Sequence, residues 1–170
     1  MPKSLKERVR QKPPKNPTKR LTIELVPQTS WFNNVRSIVT QEEWNHIRKF
    51  IYQRAGYVCE ICGGRGSKHP VECHEVWKFE ERPDNDSHLQ TLVDLIALCP
   101  ACHQVKHIGL SLHRGLGEQA TRHLMYVNGM TEDEAYAYIQ EAFRIWEERS
   151  NHQWEVDISR LGAILKSEGL

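Results

Sequence analysis

An α+β fold is what this sequence predicts. Two capping boxes open amphipathic helices, alternating apolar runs read as short strands, and paired Cys-x2-Cys knuckles bracket a loop-rich centre. With 170 residues, 39% of them hydrophobic, the chain can bury one respectable core, so one domain with appendages is expected. The net charge of +1 conceals a division: residues 1–58 carry twelve basic and four acidic side chains, residues 59–170 eleven and eighteen. Such asymmetry suggests contact with nucleic acid or a membrane surface. No run approaches the roughly 18 apolar residues of a membrane helix, and the start lacks the apolar stretch of a secretory signal. A cytoplasmic chain without a membrane partner is therefore expected.

Residues 1–20 hold eight basic side chains, one acid and four of the eight prolines, with almost nothing to bury. They read as a disordered basic arm that either solubilises the chain or neutralises phosphates. Residues 21–56 form the next unit, a strand and a helix. LTIELVP alternates apolar and polar positions and stops at Pro27, which predicts a short edge strand over 21–27. Thr40 and Glu43 make a capping box, and Trp44, Ile47, Ile51 and Ala55 follow at helical spacing up to Gly56. Residues 110–170 read as a helical extension: a helix over 118–127 stopped by Asn128-Gly129, then one opened by Thr131 and Glu134. The acids Glu132, Asp133, Glu134, Glu147 and Glu148 keep that pair away from DNA and favour a packing role. Residues 154–164 close the chain as a short strand.

The chemistry lies in residues 57–109. Cys59-x2-Cys62 and Cys99-x2-Cys102 are separated by 36 residues, and four thiolates satisfy the tetrahedral closed coordination of structural Zn2+. In a reducing compartment such pairs read as metal ligands before disulfides. Gly63, Gly64 and Gly66 allow the tight turn after the first knuckle. Cys73, the fifth cysteine, lies in an alternating run and reads as a buried small hydrophobe. Pro100 starts and Gly109 ends a predicted helix over 100–108, which puts His103 and His107 one turn apart on one face. Such a pair is half of a metal site. Upstream, the strand-like VECHEVW places His74 and Glu75 between the knuckles.

This order of Cys pair, His-containing strand, Cys pair and His helix resembles the HNH nuclease family over residues 57–109. The resemblance implies a ββα-metal core, stapled by the four-Cys zinc site, that carries one catalytic divalent metal and cleaves DNA. Its two adjacent active-site positions fall on His74 and Glu75, its middle Asn corresponds to Asp94, and His103 and His107 match its closing metal ligands. Glu75 stands where the general base is usually His, and Asp94 where Asn normally fixes a loop. Two assignments follow. In one, His74, His103 and His107 hold the metal and Glu75 activates water. In the other, His74 is the base and Glu75 supplies an oxygen ligand that suits Mg2+ or Mn2+. Arg36, Arg48, Lys49 and Arg54 are the expected phosphate contacts, and double-stranded DNA the expected partner. A noncatalytic zinc-ribbon module that binds nucleic acid or protein is the competing reading, supported by the departures at Glu75 and Asp94.

Overall fold

A computed structural model describes residues 20–166; the predicted basic arm lies outside them except for Arg20. The described chain is α+β. Its elements are α1 (Val35–Ile38), α2 (Gln41–Arg54), β1 (Glu72–Glu80), β2 (His88–Leu98), α3 (Pro100–Lys106), α4 (Ile108–His113), α5 (Gly117–Asn128), α6 (Glu132–Ser150), β3 (Trp154–Asp157) and α7 (Leu161–Lys166). β1 and β2 pair antiparallel and β3 joins β2 in parallel, so the sheet order is β1-β2-β3 with β1 at an edge. Among the described residues no helix is long and apolar enough to cross a membrane.

The two faces of the sheet carry different helices. Leu92, Leu95 and Ala97 of β2 join Val35, Trp44, Ile47 and Ile51 on the α1–α2 side. Ile96 and Leu98 join Val105, Ile108, Leu124 and Ile139 on the α3–α6 side. Because β2 is covered on both faces, its closing residues Leu95–Leu98 are all apolar and buried. Strict alternation would send Leu92 and Leu95 to opposite faces. A register shift prevents this: Val76 lies opposite Asp94 but Trp77 opposite Leu92, so Val93 is an inserted residue and the alternation resets.

Both predicted capping boxes form. Thr40 Oγ1 accepts the Glu43 N–H at 3.2 Å while Glu43 Oε2 accepts the Thr40 N–H at 2.7 Å. Thr131 and Glu134 repeat the exchange at 3.3 and 2.7 Å. Gly129 adopts the left-handed cap, φ 66°, that ends α5. Thr131→Ala removes one end of its box, and we expect about 1 kcal/mol of lost stability, read as a lower urea midpoint at unchanged m-value.

Three expectations fail at element level. Residues 21–27 form no strand. Their backbone is satisfied by helices: Leu21 exchanges hydrogen bonds with the Asn128 amide at 2.9 and 2.8 Å, Glu24 N–H donates to Lys106 O at 3.0 Å, and Val26 O accepts Trp146 Nε1 at 2.9 Å. The alternation of LTIELVP therefore records burial against α3, α5 and α6, not a ladder. The helix predicted over 100–108 stops at Lys106, where His107 (φ −106°, ψ 47°) breaks it, and Gly109 sits inside α4. Residues 154–164 are strand only over Trp154–Asp157, after which Asp157 Oδ1 accepts the Ser159 N–H at 2.8 Å and α7 begins.

Candidate metal centre

The four knuckle cysteines converge where the β2–α3 junction meets the turn after Cys59. Gly63 N–H donates to Cys59 O and Cys59 N–H to Gly64 O, both at 2.9 Å, while Gly64 N–H points at Cys62 Sγ at 3.3 Å. Gly63 needs its φ of 72° for this turn. Gly66 needs the absence of a side chain, since a Cβ there would lie 2.2 Å from His69 O and 2.7 Å from Pro100 Cδ. Cys99 caps α3, its sulfur accepting the Cys102 N–H at 3.5 Å. The four sulfurs lie within 4.8 Å of one another, close enough to hold one metal ion and consistent with structural zinc. Their mutual contacts drive the Cys59 thiol far down and the Cys102 thiol far up. Four adjacent thiolates repel, and a cation is the group that lets all of them ionise. Cys73 stands apart, packed with the α1–α2 core and pushed up to about 12, chiefly by burial.

Sequence reasoning missed His123, whose Nε2 lies 3.2 Å from Cys102 Sγ. It comes from α5, outside both knuckles, and no spacing announces it.

A second cluster joins the histidines. His74 of β1, His103 of α3 and His107 at the helix break offer ligand nitrogens within 4.8 Å of one another. Their ring centroids are 5.3, 5.1 and 4.8 Å apart. Burial pushes His74 down, and burial together with the other two imidazoles takes His107 down to about 3. Both are therefore neutral at pH 7, the form in which imidazole binds metals. On two of the rings one nitrogen is engaged by a carboxylate. Glu72 Oε2 meets His103 Nδ1 at 2.5 Å and Glu24 Oε2 meets His74 Nε2 at 2.8 Å. Carboxylates behind imidazoles are a recurrent feature of metal sites. The His103 hydrogen bond, against the opposing effect of burial, holds Glu72 at about 2. Burial would raise Glu24, but His74 and Lys106 together outweigh it and also hold it at about 2. Glu72 had a signal in the sequence, since it precedes His74 by two residues and so shares its strand face. Glu24, fifty residues upstream of His74, had none.

Glu75 lies apart from this trio. His74 and Glu75 sit in the middle of β1, not at its end, and adjacent strand residues point to opposite faces. Val76 packs with the α3–α6 core and Cys73 and Trp77 with the α1–α2 core, which assigns the two faces. Glu75 Oε1 accepts the Val35 N–H at 3.0 Å, and burial lifts the carboxyl to about 7. A cavity of about 730 Å³ nevertheless reaches Glu75 and all three histidines around the edge of β1. Because the imidazole cluster contains no carboxylate, the oxygen-rich site expected for Mg2+ is not what these three residues form.

Glu75 makes stability depend on pH. Between about 4.5 and 7 the folded state binds more of this proton than the unfolded state, so its contribution falls as pH rises. His107 acts in the opposite sense between about 3 and 6.5. Subtracting a Glu75→Gln profile isolates the carboxyl: we expect the variant to gain about 2–3 kcal/mol relative to wild type between pH 4.5 and 7.5 in urea titrations.

Other expected site residues sit elsewhere. Asp94 lies within β2 rather than in a loop, and its Oδ1 accepts the adjacent Leu95 N–H at 2.8 Å. The long β2 leaves it outside both the histidine cluster and the cavity lining. Arg54 is a tether, not a free cation: its guanidinium donates to Leu95 O at 2.6 Å and meets Glu60 at 3.3 Å. Arg48 donates to Asn45 at 3.0 Å, and Lys49 is exposed on α2. Of the four basic residues only Arg36 lines the cavity. Comparisons with protein-family models, curated proteins and solved structures find no match to this chain.

Proposed function

We propose that the chain is a metal-dependent endonuclease of the HNH, ββα-metal kind that hydrolyses DNA phosphodiester bonds. One observation carries this reading: His74, His103 and His107, separated in sequence, converge within 4.8 Å, and the short helix α3 that carries His103 also carries Cys102 of the four-cysteine cluster. Three imidazole ligands suit a transition ion such as Mn2+, Co2+ or Zn2+ better than Mg2+. Such an ion supplies charge to polarise a phosphodiester and makes water acidic.

The chain's own residues supply the rest. Among the carboxylates lining the cavity, Glu24 and Glu141 are held low by hydrogen-bonded partners, whereas burial lifts Glu75 to about 7. Glu75 is thus the base matched to neutral pH and takes the proton of the attacking water. Arg36 at the same cavity neutralises the phosphate. The water oxygen bonds to phosphorus, the P–O3′ bond breaks and the 3′-oxygen takes a proton from solvent, giving the 5′-phosphate and 3′-hydroxyl ends that the HNH resemblance implies. The test is supercoiled plasmid incubated with full-length protein and Mn2+, Co2+, Zn2+, Mg2+ or EDTA. Metal-dependent nicking is expected. No cleavage from protein loaded at both clusters would favour a noncatalytic zinc module that binds nucleic acid or protein.

A further inference from the structure

We propose that Glu24, from outside the 57–109 unit, is a positioning residue of the histidine centre: it holds His74 as the Nε2–H tautomer, leaving Nδ1 for the metal. This rests on the three histidines being a metal centre, not on what that centre cleaves.

Three observations converge on Glu24. Its Oε2 lies 2.8 Å from His74 Nε2, and an ionised carboxylate only accepts, so the proton of that contact resides on the imidazole. Its Oε1 receives Thr22 Oγ1 at 2.9 Å and the Lys106 ammonium, while Lys106 also donates to Thr22 Oγ1 at 2.7 Å. The backbone is pinned as well, Glu24 N–H to Lys106 O at 3.0 Å. With one oxygen clamped by a lysine that is 3% exposed, the other is aimed at an imidazole that is also 3% exposed.

The arrangement mirrors His103, where Glu72 takes Nδ1 at 2.5 Å and leaves Nε2. Two carboxylates thus select opposite nitrogens on two facing imidazoles, which fixes both tautomers and both ring orientations. A simpler role is available to Glu24: neutralising the buried Lys106. The two roles separate experimentally, because removing both charges together abolishes the need for neutralisation but not the need to hold His74.

The experiment uses full-length protein that retains its thiolate zinc, titrated with Co2+ and followed by visible absorption, with circular dichroism and zinc content reporting the fold. Long-range ¹H–¹⁵N correlation of the imidazoles reads which His74 nitrogen carries the proton. We expect an Nε2–H His74 in wild type and Co2+ affinity about 10–100-fold weaker in Glu24→Ala and in Glu24→Ala/Lys106→Met. Glu24→Gln, whose amide oxygen still accepts, should recover most of it. A folded double variant that binds Co2+ as tightly as wild type would overturn the proposal, as would an Nδ1–H His74 in wild type. Co2+ affinity that is unaltered in His103→Ala would remove the centre itself. Tight Co2+ binding with no plasmid cleavage would overturn the nuclease reading and leave the role of Glu24 standing.

Discussion

Cys99→Ser, or removal of the thiolate metal by a strong chelator, is expected to unfold the described domain. Three of the four sulfurs belong to residues in the main core: Cys59, Cys99 and Cys102 are 3%, 4% and 0% exposed and pack with Leu98, Val105 and Leu124. The residues they join come from both ends of the β1–β2 hairpin and from α3, so a metal bound by them would close the loop that carries β1, with His74, and β2. Structural zinc contributes about 10–16 kcal/mol at pH 7, against about 5–15 kcal/mol for the whole stability of a typical domain. Loss of one ligand therefore rivals the entire margin. Metal analysis of the wild type should find about one tightly held zinc per chain, and the variant should lose it together with its near-ultraviolet dichroism. Cys73→Ser is the control, expected to keep both. A zinc-free chain with native dichroism would sink the scaffold role.

His103→Ala is expected to reduce metal-dependent plasmid nicking by about a hundredfold or more while leaving the fold and the zinc content intact. Even residues that only support metal ligands act on the 10–100-fold scale, so removing a ligand should exceed it. The imidazole is partly exposed on α3 and holds Glu72, which is itself half-buried and keeps its contact with His69, so its loss leaves no deeply buried group unpaired. His74→Ala would be a poorer choice, because it abandons Glu24 beside the buried Lys106. Nicking that persists undiminished in His103→Ala would show that the cleavage arises elsewhere.

The parts of the fold that were legible are those governed by neighbours in sequence. Capping boxes at Thr40 and Thr131 work through contacts three residues apart, and the glycine after Asn128 stops its helix through its own backbone. Elements set by distant partners were misread. Residues 21–27 carry a strand's alternation, but Asn128, Tyr138 and Trp146 satisfy their backbone first. Gly109 has a helix stop's composition, yet the break comes at His107. The partners of Arg54 were equally illegible, because the carbonyl and carboxylate it binds, at Leu95 and Glu60, are not helix neighbours.

For the site, the identity of both clusters was determined by sequence alone, since ligand chemistry dictates residue type and the knuckle spacing is local. Four cysteines and three histidines were named from their order along the chain, and each set converges. The arrangement around each cluster was decided only by tertiary structure. His74 and Glu75 are adjacent letters, but the pleat sends one toward α3 and the other toward α1, which takes Glu75 out of the histidine cluster. Glu24 and His123 arrive from segments far away in sequence to meet His74 and Cys102. Orientation and supporting hydrogen bonds depend on which surfaces are packed together, and that information exists only once the whole core has formed.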